Sequence, residues 1–287
     1  MRRPIVRRAH AKLNVVLRVL GRRSDGDHEI ETLLLPLELH DLVLVSPADR
    51  IEVEVTGPRA DELAAAGGEG LVSAAARLLV DELGRPGLGA TIRLDKRIPV
   101  AAGLGGGSAD AAATLRALND LWEAGLDDAA LARLGAGLGA DVPGLLAGGA
   151  VLAAGRGEVV RPIAARPTAW VVLPAGFGVR AGDAYRWWDE DGASTGPGVE
   201  AALAALRTGD RDRLGRALAN DLQASVARRH PAVLEALRRL LEAGCLGAVM
   251  TGSGPTAVGL ARDRVHAERI ATAIGDGALA TWGPPPR

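Results

Sequence analysis

A glycine-rich segment, residues 99–113, carries the residues best suited to hold a phosphate group. Glycine occupies four of the five positions from 103 to 107, and an alanine-rich stretch that predicts a helix follows at once, with Ser108 in the N-cap position. The start of a helix offers backbone N–H groups without intrahelical partners and a partial positive charge, so main chain alone can bind phosphate there. A flexible turn between a strand and a helix fits the same residues equally well.

Two common nucleotide-binding motifs are excluded by the spacing of this segment. A Walker A loop needs Gly-Lys before its Ser or Thr, whereas Gly107 is followed directly by Ser108. A dinucleotide-binding fingerprint needs a third glycine where Ser108 stands, and an acid after a second strand to bind the ribose. The acids at about the right distance, Asp127 and Asp128, lie between segments of helical pattern. The loop therefore belongs to neither class.

The elements around this loop predict an α+β protein. Apolar and polar residues alternate over 12–20, 51–55 and 91–95, which predicts three strands, and the apolar residues over 71–83 have helical spacing. Because strands and helices do not alternate regularly, we expect an α+β domain rather than a doubly wound sheet. The loop then connects the strand at 91–95 to a helix.

The second half of the sequence predicts a separate domain. A hairpin pattern over 149–163 is followed by a shift to Pro and Ala, and we place a boundary there, giving domains 1–163 and 164–287. The remaining patterns predict strands at 169–173, 247–250 and 256–260 and helices around 233–241 and 265–274.

Composition restricts the classes of function. With 34 basic and 35 acidic side chains the net charge is −1, which gives no overall attraction to nucleic acid or to an anionic membrane. The single cysteine, Cys245, excludes an intramolecular disulfide. The N-terminal residues lack the apolar run of about 7 to 15 residues of a secretory signal. No stretch approaches the roughly 20 apolar residues of a membrane span. We therefore expect a soluble cytoplasmic protein.

Further motifs follow one another along the chain. They are Ala11-Lys12-Leu13-Asn14, Asp25-Gly26-Asp27-His28, Asp95-Lys96-Arg97-Ile98-Pro99, Leu138-Gly139-Ala140-Asp141-Val142-Pro143, Asn220-Asp221-Leu222 and Thr251-Gly252-Ser253-Gly254. With the glycine loop, these motifs resemble the GHMP kinases, the superfamily of galactose, homoserine, mevalonate and phosphomevalonate kinases. The residues and the order of these motifs are most similar to those of the branch that acts on 4-diphosphocytidyl-2-C-methyl-D-erythritol. The matches cover residues 9–260.

The resemblance implies a fold, an activity and cofactors. The fold would be the two-domain GHMP kinase fold, with an ATP-binding N-terminal domain like domain 2 of ribosomal protein S5 and a ferredoxin-like, substrate-binding C-terminal domain. The activity would be phosphorylation of the substrate's 2-hydroxyl by ATP, in the non-mevalonate (methylerythritol phosphate) pathway to isoprenoids. Mg²⁺ would accompany ATP. No pair of carboxylates flanks the glycine loop, so we expect phosphate and water, not protein side chains, to supply most of the metal's ligands.

The resemblance also implies two catalytic residues, Asp141 and Lys12. Asp141 would take the proton of the attacking hydroxyl, and Lys12 would keep that carboxylate ionised and balance the developing charge. Asn14 lies two residues after Lys12 on a predicted strand, so both point to the same face and can address one substrate. Taken without the resemblance, Asp141 fits a helix-terminus or Asx-turn aspartate and Lys12 a solvent-facing strand lysine.

The remaining implied site residues bind nucleotide or substrate. The nucleotide would contact Lys96, Pro99, Gly103, Leu104, Gly105, Gly106, Gly107, Ser108 and Ala109. The substrate would contact Asn14, His28, Tyr185, Gly252 and Ser253, with His28 and Tyr185 at the cytosine ring. From the residues alone, Tyr185 fits ordinary core packing, and 251–254 fits a hairpin turn.

Four residues depart from the family pattern. Asp27 stands where an aromatic residue usually stacks on the base, and Glu69-Gly70 replaces an Asp-Asn pair before the helix near residue 71. Asp110 stands where Asn is often found. Two other functions therefore stay open at this point: a GHMP kinase for another small alcohol, of the homoserine or mevalonate type, and a non-catalytic nucleotide-binding relative. We expect a monomer or a weak homodimer in each case.

Overall fold

The computed structural model of the protein describes residues 3–192, 195–275 and 277–285. The chain forms two compact units, and neither is a continuous stretch of sequence. The first consists of residues 1–11, 39–100 and 105–148, and the second of residues 12–38, 101–104 and 149–287. These are units of packing, so the functional division at residue 163 stays a prediction.

The described residues form eleven strands and eleven helices. The strands are β1 (Ile5–Arg22), β2 (His28–Ala48), β3 (Ile51–Thr56), β4 (Gly89–Asp95), β5 (Val151–Gly155), β6 (Val159–Pro162), β7 (Thr168–Leu173), β8 (Ala219–Asn220), β9 (Gly247–Met250), β10 (Ala257–Ala261) and β11 (Leu279–Gly283). The helices are α1 (Ala60–Ala65), α2 (Val72–Leu83), α3 (Gly106–Leu121), α4 (Asp128–Ala136), α5 (Val142–Leu146), α6 (Ala181–Glu190), α7 (Glu200–Thr208), α8 (Arg211–Arg216), α9 (Gln223–Arg229), α10 (Ala232–Glu242) and α11 (Arg264–Ile274).

In the first unit, helices cover a small sheet with an aliphatic core. β3 pairs in parallel with β4, and β4 pairs in antiparallel with the end of β2, where Leu42 faces Asp95. Small residues on α2 and α3 let these helices approach closely: Ala75 and Ala76 on α2 and Ala111 and Ala117 on α3 are fully buried. Trp122 closes the far end of α3 by donating its Nε1–H to the carbonyl of Gly89. These contacts hold α3 in place within the first unit.

In the second unit, the sheet order is β11-β7-β10-β9, with all neighbours antiparallel. Helices connect the edge strands to the central ones, which is the ferredoxin-like arrangement that the resemblance implied. The start of β2 pairs with β5, which forms a hairpin with β6, and β1 pairs in parallel with the short β8 at Val16 and Ala219. The predicted α+β class is confirmed.

Most sequence-based elements are confirmed, and three strands are missing from the prediction. The strands at 12–20, 51–55 and 91–95, the helix at 71–83 and the hairpin at 149–163 all form. The 21-residue β2, the two-residue β8 and the last strand, β11, were not predicted. Residues 33–37 of β2 are all buried, so they read as a continuous apolar run that contains Pro36 and not as an alternating strand. Among the described residues, no helix is both long and apolar enough to cross a bilayer.

Candidate active site

The glycine-rich loop leads directly into α3. Gly105 is the N-cap residue in a left-handed conformation (φ 68°), and the first intrahelical bond runs from Ala109 N–H to the Gly105 carbonyl at 2.9 Å. Placing Ser108 at the N-cap was therefore wrong: Ser108 is the third residue of the helix. Glycine is needed at position 105 because an L residue with that φ is strained.

The N-terminus of α3 has the features of an anion site. No side chain caps it, and no acidic residue lies in its first turn. A Cβ added to Gly107 would meet no heavy atom within 4 Å, so the space beside it is open. Of the other predicted nucleotide-binding residues, Pro99, Leu104 and Ala109 are buried beside the loop. Backbone N–H groups at residues 106–108 are thus placed for phosphate binding.

In the second unit, the loop meets the other glycine-rich motif, residues 251–254. Gly103 has φ 75°, and a Cβ at this position would overlap the carbonyl oxygen of Thr251. A Cβ on Gly252 would lie 2.7 Å from the Gly103 carbonyl oxygen and 2.9 Å from Lys12 Nζ. Ser253 follows in the turn, half-buried. The 251–254 segment is a turn between β9 and β10, as the hairpin interpretation predicted. At Gly252 the turn also lies too close to Lys12 for any side chain.

Lys12 is buried at this contact and belongs to a chain of hydrogen bonds. Lys12 Nζ donates to Asn14 Oδ1 at 2.7 Å, and Asn14 Nδ2 donates to Thr32 Oγ1 at 2.8 Å. The Asn14 backbone N–H also binds Thr251 Oγ1 at 2.9 Å. Lys12 is 4% exposed and Asn14 2%, so the solvent-facing interpretation of Lys12 was wrong and the shared face of Lys12 and Asn14 is confirmed.

Asn220 is a positioning residue that sequence reasoning left without a role. Its Nδ2 donates to the carbonyls of Met250 and Gly252 at 2.7 and 2.8 Å, and its Oδ1 accepts from Leu222 N–H at 2.9 Å. One amide group therefore fixes the path of the chain into the 251–254 turn. An Asn beside a two-residue strand gave no local signal of this, because both acceptors are distant in sequence.

We expect Asn220→Ala to destabilise the 251–254 turn, since it removes the Nδ2 donor from the carbonyls of two buried residues, Met250 and Gly252. The free energy of unfolding should fall by about 1 to 3 kcal/mol, and KM for the phosphoryl acceptor should rise more than kcat falls. Asn220→Asp should be worse, because a carboxylate would face two carbonyl oxygens. Urea denaturation and steady-state kinetics measure both effects. The control is Asn119→Ala, which removes an amide that binds both backbone groups of Leu126; KM values equal to those of this control would contradict the prediction.

Asp141 lies in the first unit, at the N-cap of the short helix α5. Its side chain makes no capping hydrogen bond to α5, unlike Asp127, which caps α4 by accepting from Ala130 N–H at 2.8 Å. Two residues earlier, a Cβ on Gly139 would lie 3.4 Å from Ser108 Oγ. The segment that carries Asp141 thus runs beside the first turn of α3.

Lys96 lies in a buried ion cluster under the start of α3. Its Nζ is 2.5 Å from Asp41 Oδ2 and 2.7 Å from Asp110 Oδ2, and all three side chains are at most 3% exposed. Asp41 was not predicted, although an acid within the apolar stretch of β2 is a signal that a buried cation must pair with it. Burial, with Asp41 nearby, raises the pKa of Asp110 to about 8 despite the opposing effect of Lys96.

Lys12 and Lys96 are the only lysines in the sequence, among 34 lysine and arginine residues. Both are buried, one in each compact unit. Each ammonium group has a glycine backbone directly beside it, at Gly252 and Gly106. A planar guanidinium is bulkier than an ammonium group, so neither place suits arginine.

A cluster of rings surrounds His28 in the second unit. The His28 ring stacks on Tyr185 with centroids 4.8 Å apart and meets the edge of Trp188 at 6.0 Å. His28 Nε2 is 3.0 Å from Asp189 Oδ1. A carboxylate accepts, so Nε2 carries the proton, and in the neutral ring Nδ1 is left as an acceptor. Tyr185 therefore packs both on His28 and, partly buried, against the apolar core of the second unit, so its interpretation as core packing also holds. Asp27 instead forms an ion pair with Arg156 at 3.1 Å.

The donor set fits a nucleotide whose metal is held by phosphate. No group of three or more His, Cys, Asp or Glu side chains suited to a metal occurs among residues 3–192, 195–275 and 277–285. The uncapped helix start and its open glycine fit a phosphate group instead. These features suit Mg²⁺ that arrives with its nucleotide.

Comparisons with known proteins place the chain in a family. Residues 70–157 match the family GHMP kinases N terminal domain, and residues 202–278 match GHMP kinases C terminal. The chain is 44% identical over 271 residues to a 4-diphosphocytidyl-2-C-methyl-D-erythritol kinase of Moorella thermoacetica, covering 93% of each. It is 42% identical to the enzyme of the same name from Symbiobacterium thermophilum, covering 95% of this chain and 96% of that one.

Solved structures agree with this placement. A crystal structure of a 4-(cytidine 5'-diphospho)-2C-methyl-D-erythritol kinase matches with a TM-score of 0.81 and 39% identity, covering 98% of this chain and all of that one. A homoserine kinase from Cytophaga hutchinsonii, 20% identical with a TM-score of 0.74, shares the fold. The predicted GHMP kinase fold is confirmed, and the chain belongs to the GHMP kinases and, within them, to the family of 4-diphosphocytidyl-2-C-methyl-D-erythritol kinases.

Proposed function

We propose that this protein transfers the γ-phosphoryl group of ATP to the 2-hydroxyl of 4-diphosphocytidyl-2-C-methyl-D-erythritol, a step of the methylerythritol phosphate pathway to isoprenoid precursors. Relatives named 4-diphosphocytidyl-2-C-methyl-D-erythritol kinase match this chain over almost their whole length. The observation that carries the chemistry is the position of Lys12, whose buried ammonium group lies against the 251–254 turn and whose backbone N–H binds the Leu104 carbonyl in the glycine loop.

The glycine loop and the start of α3 are proposed to hold the phosphates. ATP supplies the phosphoryl group when bound, and Mg²⁺ would screen the charge of its phosphates. Backbone N–H groups of residues 106–108 bind phosphate oxygens, helped by the partial positive charge of the helix start. Gly103 and Gly105 give the loop its path, and Pro99, Leu104 and Ala109 pack beside it. A loop of main-chain donors needs no reorganisation when negative charge develops.

Asp141 and Lys12 are proposed to act on the reacting hydroxyl. Asp141 accepts the proton as the hydroxyl oxygen forms its bond to the γ-phosphorus and the bond to the leaving oxygen breaks. The position of Asp141, in a segment that runs beside the first turn of α3, supports this role. Lys12 balances the negative charge on the phosphoryl oxygens. Asn14 orients Lys12 through its 2.7 Å hydrogen bond and shares its face.

His28 and Tyr185 are proposed to bind the cytosine base. In the tautomer whose Nε2–H donates to Asp189, Nδ1 of His28 is an acceptor for the exocyclic amine of cytosine. Tyr185 supplies an aromatic face beside it. Gly252 and Ser253 are proposed to contact the substrate's diphosphate, since the turn has no side chain at Gly252 to hinder approach.

A panel of phosphoryl acceptors tests the proposal. Purified protein should phosphorylate 4-diphosphocytidyl-2-C-methyl-D-erythritol and discriminate strongly against homoserine, mevalonate and the substrate's fragment without cytidine. His28→Ala should reduce that discrimination by roughly 10- to 100-fold in kcat/KM, since a lost hydrogen bond to a buried polar group costs about 1 to 3 kcal/mol. Comparable efficiency on an acceptor without cytidine would assign the protein to another substrate, and binding of ATP without any turnover would make it a non-catalytic relative.

The proposal includes the setting in which the enzyme works. We propose a cytoplasmic enzyme, monomeric or weakly dimeric, with a small molecule and no nucleic acid as its partner. The net charge of −1 supports the last point, because it gives no overall attraction to nucleic acid. We also propose that residues 1–163 serve ATP binding and residues 164–287 substrate binding. The two family matches lie on either side of that boundary, which supports the division.

A further inference from the structure

We propose that Lys96, Asp41 and Asp110 are positioning residues for nucleotide binding: the ammonium group of Lys96, held between the side chains of Asp41 and Asp110, fixes the first turn of α3 and thereby its phosphate-binding N–H groups. This inference rests on the proposed function, because it assigns those groups to a nucleotide. It differs from the expectation that Lys96 contacts the nucleotide itself.

Lys96 directs its polar groups into the protein. Its backbone N–H binds the carbonyl of Thr56 at 2.8 Å, and its carbonyl accepts from Arg59 N–H at 3.0 Å. Its side chain is 1% exposed and ends between two carboxylates. These bonds fix both the backbone and the side chain of Lys96 within the first unit.

The support acts on the first residue of α3. A Cβ added to Gly106 would lie 3.0 Å from Lys96 Nζ and 3.1 Å from Ile98 Cγ2, so the Gly106 backbone rests directly on this ammonium group. Gly106 is also the first residue after the left-handed Gly105. Any shift of the Lys96 side chain would therefore move the start of the helix and the N–H groups beside it.

Asp41 joins the cluster to the chain before the loop. Its Oδ1 accepts from the backbone N–H groups of Arg97 and Ile98, at 2.5 and 2.8 Å, while its Oδ2 binds Lys96. Asp41 lies on β2, so one carboxylate connects β2, the segment that follows β4 and, through Lys96, helix α3. Three parts of the first unit are held together at one point.

Asp110 adds a carboxylate in excess of the one cation. Its Oδ1 is buried and has no partner among the described residues. Lys96 and Asp41 are the charged groups that act on Asp110, whereas the ion pair between Arg116 of α3 and Asp128 of α4 lies at the surface. The raised pKa, about 8, means that Asp110 holds a proton at neutral pH and loses it in mild alkali. The cluster then gains a negative charge beneath the helix start, which opposes phosphate binding.

The test is direct titration of the purified full-length protein with ATP and Mg²⁺, at about pH 7 and about pH 9. The Kd of the wild-type protein should rise roughly tenfold between these two values, because an added buried charge acts at low effective dielectric. Asp110→Asn cannot ionise and should show no such rise. The matched control is Asp120→Asn, on the same helix but exposed and paired with Arg7, which should keep the wild-type rise.

A second measurement separates positioning from a general loss of stability. Lys96→Met should speed hydrogen exchange at the amides of residues 106–108 and raise the Kd for ATP with a smaller effect on kcat at saturating ATP. Asp110→Asn, which preserves the shape of the side chain, keeps the test available if Lys96→Met does not fold. An unchanged pH dependence in Asp110→Asn would overturn the inference while leaving the proposed function intact. Failure of the wild-type protein to bind ATP would instead overturn the proposed function.

Discussion

Asp141→Asn is expected to lower kcat by roughly 10²- to 10⁴-fold while the Kd for ATP stays within a few-fold of wild type. The amide keeps the shape of the carboxylate but cannot take the proton of the attacking hydroxyl. The substitution removes no side-chain cap from α5, because Asp141 makes no capping hydrogen bond to that helix. Single-turnover kinetics with saturating ATP and acceptor would measure the chemical step directly.

The control for this variant is Asp127→Asn. Asp127 is the N-cap of α4, also in the first unit, and its side chain does cap that helix. Asn is an equally good N-cap residue, so this variant should keep both activity and stability. A kcat for Asp141→Asn close to that of Asp127→Asn would show that another group takes the proton.

Substitution of Lys12 is expected to have the second largest effect. Lys12→Met should lower kcat by roughly 10²- to 10³-fold, since it removes the charge that balances the phosphoryl group in the transition state. Lys12→Arg should not restore activity, although it restores the charge. Lys12 Nζ lies 2.9 Å from where a Cβ on Gly252 would be and 2.7 Å from Asn14 Oδ1, and a guanidinium group needs more room.

Kinetics of the two Lys12 variants, with circular dichroism to establish that each is folded, would check this prediction. If Lys12→Arg retained wild-type kcat, the role of Lys12 would be charge alone, and the packing of the two glycine motifs around it would carry no consequence. If both variants retained it, Lys12 would have no part in the chemistry.

The sequence predicted those parts of the site that depend on local pattern. The two-residue spacing of Lys12 and Asn14 on an alternating strand placed them on one face, and the structure joins them by a hydrogen bond. The glycine spacing predicted a loop that leads into a helix, although it misplaced the N-cap by three residues, because Gly105 can adopt the left-handed conformation and Ser108 is free to enter the helix.

Contacts between distant residues could not be predicted in this way. Asp41 lies in a strand whose buried run hides the period of two, so neither β2 nor its acidic residue was predicted. Asn220 acts through carbonyls some thirty residues further along the chain, and no local signal connects them. For both residues, the signal available in the sequence was a polar side chain in surroundings that would bury it, which implies a partner without naming it.

Because the chain has only two lysines, chemical modification of their amines can report local opening of the protein. Lys12 and Lys96 carry the chain's two side-chain amines, and both are closed off from solvent, one in each compact unit. An acylating reagent can therefore modify either amine only when its unit opens locally. Peptide mass mapping after timed acylation would report the opening of each unit separately, and a bound nucleotide should slow both reactions.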